Sequence, residues 1–253
     1  ESKIIERIFG MFEIEFSKIL RKLNDLEDLE QLTLEEKKIL SHFVAIQYLR
    51  TKEIRIVLNE MTSALFNKIL RNKSSSSEKE IVQLTEDSIK KAHLDIILNT
   101  FLDISEVMQK MKWMFCINNT DIPFWTSDNP CAKYNELEPE KFRGNQGLLC
   151  NGFELHLPLS SKYLIILLSP ELTLKDLKKS RSLKTKYIRK FYPNFLHTKE
   201  DINLREFFPK IERIHDKNRI VFENCLQIIS SSQFVFSEKE SFELVDNYLK
   251  EYP

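Results

Sequence analysis

The spacing of apolar positions predicts a chain that is helical first and mixed afterwards. In residues 2–23, Ile4, Ile5, Ile8, Phe9, Phe12, Phe16, Ile19 and Leu20 recur at three- and four-residue steps, the stripe of an amphipathic helix. An acidic stretch, 24–33, follows, and Thr33 with Glu36 makes a capping box for a second helix. That pattern runs over 34–71 without Pro or Gly, as one long helix or a kinked pair, and ends before the serine loop 74–77. A third helix is predicted over 86–111, capped by Thr85.

Beyond Lys112 the texture changes to short β-prone stretches at 113–117, 124–126, 153–157 and 163–168. The last two are separated only by 158–162, which suggests an antiparallel pair. Helical patterns return at 182–191 and 204–229. A last strand is expected at 233–236, and Ser237 with Glu240 is expected to cap a final helix. Helices, then clustered strands, then helices give an α+β fold rather than a repeating βαβ one. The expectation is one domain over 1–253. Its helical part, 1–111, packs on a small, mostly antiparallel sheet, and 112–253 holds that sheet and the C-terminal helices.

Composition supports a folded core, with 42% hydrophobic residues and 18 Phe. The 38 basic and 38 acidic residues cancel, so any attraction to nucleic acid or lipid must be local. The longest purely apolar run, 163–168, is far below the roughly 20 residues of a membrane-spanning helix. Cys116, Cys131, Cys150 and Cys225 are scattered and no secretory signal is evident, which reads as reduced thiols in a cytoplasm. Four glycines without phosphate-loop or dinucleotide spacing argue against kinase, GTPase and Rossmann chemistry. No paired Cys spacing, H-E-x-x-H or G-x-S-x-G motif is present.

The densest polar chemistry is Phe124-Trp125-Thr126-Ser127-Asp128-Asn129-Pro130. In a functional reading Asp128 ligates Mg²⁺ or Mn²⁺ or acts as a base, and Thr126, Ser127 and Asn129 orient substrate or water. In a structural reading the same side chains satisfy backbone N–H groups in an Asx or Ser/Thr turn. The residues alone favour the turn. Gln47 and Arg50 share a helix face, where Arg50 can take a phosphate or form a structural ion pair.

Eight basic residues, Lys175, Lys178, Lys179, Arg181, Lys184, Lys186, Arg189 and Lys190, meet only Asp176 in 175–190. This is either a strip for nucleic acid or a solvated face balanced by Asp25, Glu27, Asp28, Glu30, Glu35 and Glu36. Those two segments could also pair in a homodimer.

The F-W-T-S-D-N-P motif resembles the bacterial family catalogued as domain of unknown function 4238. So do Leu157-Pro158-Leu159-Ser160, Asn224, Phe234-Val235-Phe236-Ser237, and Gln47 with Tyr48-Leu49-Arg50-Thr51. Glu13 or Glu15 matches an acidic position on that family's first helix, and Glu13 is a candidate metal ligand beside Asp128. The resemblance implies a fold and no activity. Two functions follow from the residues. One is a phosphodiester-acting, nuclease-like enzyme of a bacterial stress or anti-phage response, with Arg50 and Asn224 among its substrate contacts. The other is a non-catalytic module that docks a protein partner.

Overall fold

The computed structural model describes residues 2–57, 60, 64, 86–137, 139, 144–173, 175–176 and 203–251. Helix α1 spans Ser2–Leu26, a 3-10 turn η1 spans Leu29–Gln31, α2 spans Leu34–Leu49 and α3 spans Glu86–Lys110. The Thr33–Glu36 capping box forms in full, each side chain accepting from the other residue's backbone N–H. Arg50 ends α2, and residues 52–57 resume a helix with Thr51 Oγ1 accepting from the Ile54 N–H. The pair is therefore kinked at Arg50. Thr85, the serine loop, the expected helix at 182–191 and every basic residue of the strip except Lys175 lie outside the described residues.

Strands follow: β1 Lys112–Asn118, β2 Thr126–Ser127, β3 Ala132–Asn135, β4 Phe153–Pro158 and β5 Tyr163–Leu168. Next come a 3-10 turn η2 Leu204–Phe207, β6 Ile211–Ile214, helix α4 Lys217–Ser230, β7 Val235–Phe236 and helix α5 Glu243–Glu251. The main sheet runs β3-β4-β5-β1-β6, antiparallel throughout except where β6 lies parallel to β1. β2 and β7 form a separate two-stranded ribbon.

Two sequence expectations are corrected. The single helix expected over 204–229 is a 3-10 turn, a strand and a helix. Pro209 offers no backbone donor for continuing a helix, and Asp216 opens α4 by accepting from the Asn218 N–H. The Ser237–Glu240 cap does not form: Ser237 Oγ accepts from the Lys239 N–H, and α5 begins only at Glu243.

Both faces of the central sheet are covered, and the two-residue period of a strand assigns the layers. Phe115, Ile117, Phe153, Leu155, Leu157, Tyr163, Ile165 and Leu167 meet Phe16, Ile19 and Leu23 of α1, Leu40 and Val44 of α2, and Met108 of α3. On the other face, Met114, Cys116, Leu164, Ile166 and Leu168 meet Ile214 and Ile220 at the start of α4. Burial on both sides explains why β5 reads as an unbroken apolar run. Among the described residues no helix is long and apolar enough to cross a membrane.

Candidate functional site

The T-S-D-N-P turn is fastened on one side by α4 and the segment after it. Asn224 Oδ1 accepts from the Trp125 N–H at 2.9 Å, and its Nδ2 donates to Pro123 O at 3.0 Å. Ser127 Oγ donates to Gln227 Oε1 at 3.0 Å, and Gln227 Nε2 donates to Pro130 O at 3.1 Å. Asp128 spends both carboxylate oxygens on backbone donors, Ser232 N–H at 2.8 Å and Gln233 N–H at 2.9 Å. Its own N–H reaches Phe234 O at 3.1 Å, extending the β2–β7 ribbon. These are the bonds of the structural turn, and they tie the Asp128 carboxylate to two backbone donors of the segment after α4.

Asn129 faces the other way. Its N–H returns to Ser127 Oγ at 3.2 Å, while its Nδ2 donates to Glu53 Oε2 at 2.9 Å. Glu53 Oε1 also accepts from Lys133 Nζ at 2.6 Å, and that ammonium lies 6.0 Å from the centre of the Tyr48 ring. Three residues before Glu53, Arg50 Nη1 stands 3.6 Å from Glu13 Oε1. Gln47, one turn earlier, is buried. Cys131, buried next to the turn, has its thiol pushed up to about 12 by burial, against a smaller opposing pull from Arg50 and Lys133. The first helix, the end of α2 and the motif therefore meet at one partly open corner. Glu53 and Lys133 were not picked out from sequence, although Glu53 follows Arg50 at helical spacing.

Thr126 pairs with Phe236 across the ribbon and lines a shallow groove of about 240 Å³ with Pro158, Ser160 and Ser237. Three of the sequence segments that carry the family resemblance thus converge there. The family model described as "Protein of unknown function (DUF4238)" matches residues 1–241. The chain belongs to the DUF4238 family. No curated protein and no solved structure matches it.

This DUF4238 chain also holds an internal charge network that sequence reasoning missed. His156 of β4 sits between two carboxylates, Nε2 at 3.0 Å from Glu154 and Nδ1 at 2.7 Å from Glu223 of α4. Glu154 and Glu136 each approach Arg205 Nη1, at 3.1 and 3.3 Å, and Glu223 meets Arg219 Nη2 at 2.9 Å. Glu136, Glu154, His156, Arg205 and Glu223 are all buried. Both ring nitrogens face acceptors, so both must carry protons when the carboxylates are ionised. The imidazolium then adds a third cation to the guanidiniums of Arg205 and Arg219 among these carboxylates. Burial works against that charge, but Glu223 and Glu154 outweigh it and hold the His156 pKa above its ordinary value. Burial likewise opposes the Glu223 carboxylate, yet His156 and Arg219 keep its pKa lowered. The available signal was the period-two pair Glu154 and His156 on one face of an otherwise apolar strand, facing Arg219 and Glu223 at i, i+4.

Among the described residues, three acids of the stretch expected to balance the basic run, Glu27, Glu30 and Glu36, pair with bases outside that run. Glu27 contacts Lys162 and Arg213 at 2.7 and 2.9 Å, Glu30 contacts Lys210 at 2.7 Å, and Glu36 contacts Lys22 at 2.8 Å.

Proposed function

We propose that the chain acts on a phosphodiester at the corner where α2 ends against the T-S-D-N-P turn, with Glu53 rather than Asp128 as the working carboxylate. The observation that carries this reading is the Glu53 carboxylate bridging Asn129 and Lys133 beside Arg50. Its side chain is 42% exposed, which leaves it within reach of solvent and substrate. Arg50 and Lys133 supply the two cations that hold a phosphate. Glu53 takes a proton from the attacking water as its oxygen bonds to phosphorus; the ester P–O bond breaks, and Lys133 returns a proton to the leaving alkoxide. A Mg²⁺ or Mn²⁺ ion would be held by Glu13, because such ions need only one or two protein carboxylates and keep several waters. Nucleic acid contacting the basic residues of 175–190, in the cytoplasm of a bacterium under stress or phage attack, extends the same proposal. So does the single-domain organisation over 1–253.

The test is cleavage of single- and double-stranded DNA and RNA by the wild-type chain with Mg²⁺ or Mn²⁺, beside Glu53→Gln, Arg50→Ala and Lys133→Ala. Loss of about 10²-fold or more in Glu53→Gln is expected for a general base. Wild-type protein that cleaves none of these substrates removes the proposal. The second reading is an interaction module. It is favoured by Phe234 and Phe236, 57% and 53% exposed, whose rings lie 6.3 Å apart beside the motif. A protein partner or a homodimer seated there predicts that Phe234→Ser with Phe236→Ser abolishes complex formation or dimer sedimentation while the melting temperature holds.

A further inference from the structure

A second cavity, of about 350 Å³, lies between the start of α2, the end of α3 and the edges of β1 and β6. It is separate from the corner described above. Lys37 and Lys38 precede Arg50 by 12 to 13 helical residues, which places the two regions roughly 20 Å apart along the α2 axis. Trp113, Met111 and Leu40 contribute an apolar floor, and the Trp113 ring is held in place by its Nε1–H donating to Met108 O at 2.9 Å. At the rim Leu34 is 87% exposed, an apolar side chain left open to water beside a concave apolar surface.

Among the described residues, four lysines, Lys37, Lys38, Lys112 and Lys210, line this cavity against a single carboxylate, Glu30. Glu30 is already shared by Lys210 at 2.7 Å and Lys37 at 3.6 Å. Lys112 directs its ammonium to the backbone carbonyls of Arg205, Glu206 and Phe208, so its role is to anchor η2 and to add positive potential. Burial first, and repulsion from Lys210 and Arg205 second, hold its pKa below the ordinary ammonium value. A concave site of this size, largely apolar with convergent charges of one sign, has the anatomy of a small-molecule pocket.

We infer that this cavity binds a small organic anion, with a phosphate or carboxylate held by Lys37, Lys38 and Lys210 and a flat apolar body lying against Trp113 and Met111. The anion competes with Glu30 for Lys37 and Lys210, and the body covers the floor that Leu34 leaves open.

The experiment is isothermal titration of the full chain with 1-naphthyl phosphate, AMP and 1-naphthoate, with inorganic phosphate and neutral 1-naphthol as controls. At least one aromatic anion is expected to bind saturably, about tenfold or more tighter than either control. Preference for 1-naphthyl phosphate or AMP identifies a phosphate-bearing ligand, and preference for 1-naphthoate a carboxylate. Lys37→Gln with Lys210→Gln, and separately Lys38→Glu, are expected to weaken binding about tenfold with the unliganded melting temperature unchanged. Absence of saturable binding by all three anions at millimolar concentration overturns the inference. So does 1-naphthol binding as tightly as the anions, or a fully folded lysine variant that binds like wild type.

Discussion

Replacing Asp128 by alanine removes the acceptor of two backbone hydrogen bonds, from Ser232 and Gln233, that close the turn after α4. Bonds to a charged acceptor contribute about 1.5–3 kcal/mol each when buried, and loss of a helix-cap carboxylate costs about 0.5–2 kcal/mol. Asp128 is only partly buried, so the lower ends apply, and the pair together gives about 2–3 kcal/mol. For a chain of this size that lowers the melting temperature by roughly 5–10 °C. Asp128→Asn keeps one acceptor oxygen and should lose about half as much. The assay is thermal unfolding of the three proteins, alone and with Mg²⁺, Mn²⁺, Ca²⁺ and Zn²⁺. A metal that binds the native state must raise its stability, and the structural reading predicts that any such rise survives in Asp128→Ala. The reasoning is refuted if Asp128→Ala melts at or above the wild-type temperature, the behaviour of a carboxylate kept for function at a cost in stability. It is equally refuted if a wild-type metal shift disappears in the variant.

The remaining predictions concern the interior and the thiols. Removing His156 leaves Glu154 and Glu223 without their shared cation, so His156→Ala is expected to destabilise by about 3–5 kcal/mol in chemical denaturation at pH 6. Because the His156 pKa is raised when folded, its contribution is complete below the unfolded value of 6.5 and is lost as pH rises through the folded one. Glu223, with its pKa lowered, contributes above 4.5 and loses that contribution as pH falls through its folded value. Wild type should therefore lose stability on both flanks, and a folded His156→Gln should lose the alkaline slope; a slope that persists refutes the assignment. Gly152 has φ +76, and an added Cβ would meet Asn135 Oδ1 at 2.6 Å and Leu137 Cγ at 2.8 Å. Gly152→Ala should thus cost about 2 kcal/mol or more by denaturant titration, against little change for Gly144→Ala, where among the described residues nothing lies within 4 Å. Under native thiol labelling at pH 8, the partly exposed Cys150 and Cys225 should react while the buried Cys116 and Cys131 wait for unfolding.

Local signals were legible where the physics is local. The capping box at Thr33 is decided within four residues, and the buried strand β5 shows its two covered faces as six consecutive apolar side chains. Antiparallel pairing of β4 with β5 followed from the short connection between them. Long-range effects were hidden. β3 is four residues long and carries Lys133 among them, so it lacks a strand-like run. β6 exists because Ile211–Ile214 pairs in parallel with β1, a partner almost a hundred residues away, and its Ile-Glu-Arg-Ile sequence is equally compatible with a helix turn. The helix expected after Ser237 is displaced to Glu243, and Phe242, just before it, packs on Trp125 with ring centres 5.4 Å apart. The site behaved in the same way. The polar turn was visible, but Glu53 and Lys133 become its neighbours only through the meeting of the helical run 52–57, which follows α2, with β3.

Helix α4 makes the motif and the buried charges parts of one construction. Arg219, Glu223 and Gln227 repeat at i, i+4 and so form one row along the helix, with Asn224 beside them. The upper part of that row meets His156 and, through it, Glu154 and Arg205; the lower part holds Ser127 and the Pro130 carbonyl. An apolar helix face can slide or rotate on a sheet at modest cost, because its contacts are not directional. A rotation of α4 would instead separate the buried Glu223 from His156, leaving unpaired charge in the interior at several kcal/mol per ion. The network therefore fixes the azimuth of α4, and with it the positions of Asn224 and Gln227. Those two amides then set the path of residues 123–130, so that Asp128 closes the turn on the α4 side and Asn129 is delivered to Glu53 on the other. The side chains that look most chemical in sequence form the frame, while the ionisable groups left open to solvent are those that frame orients.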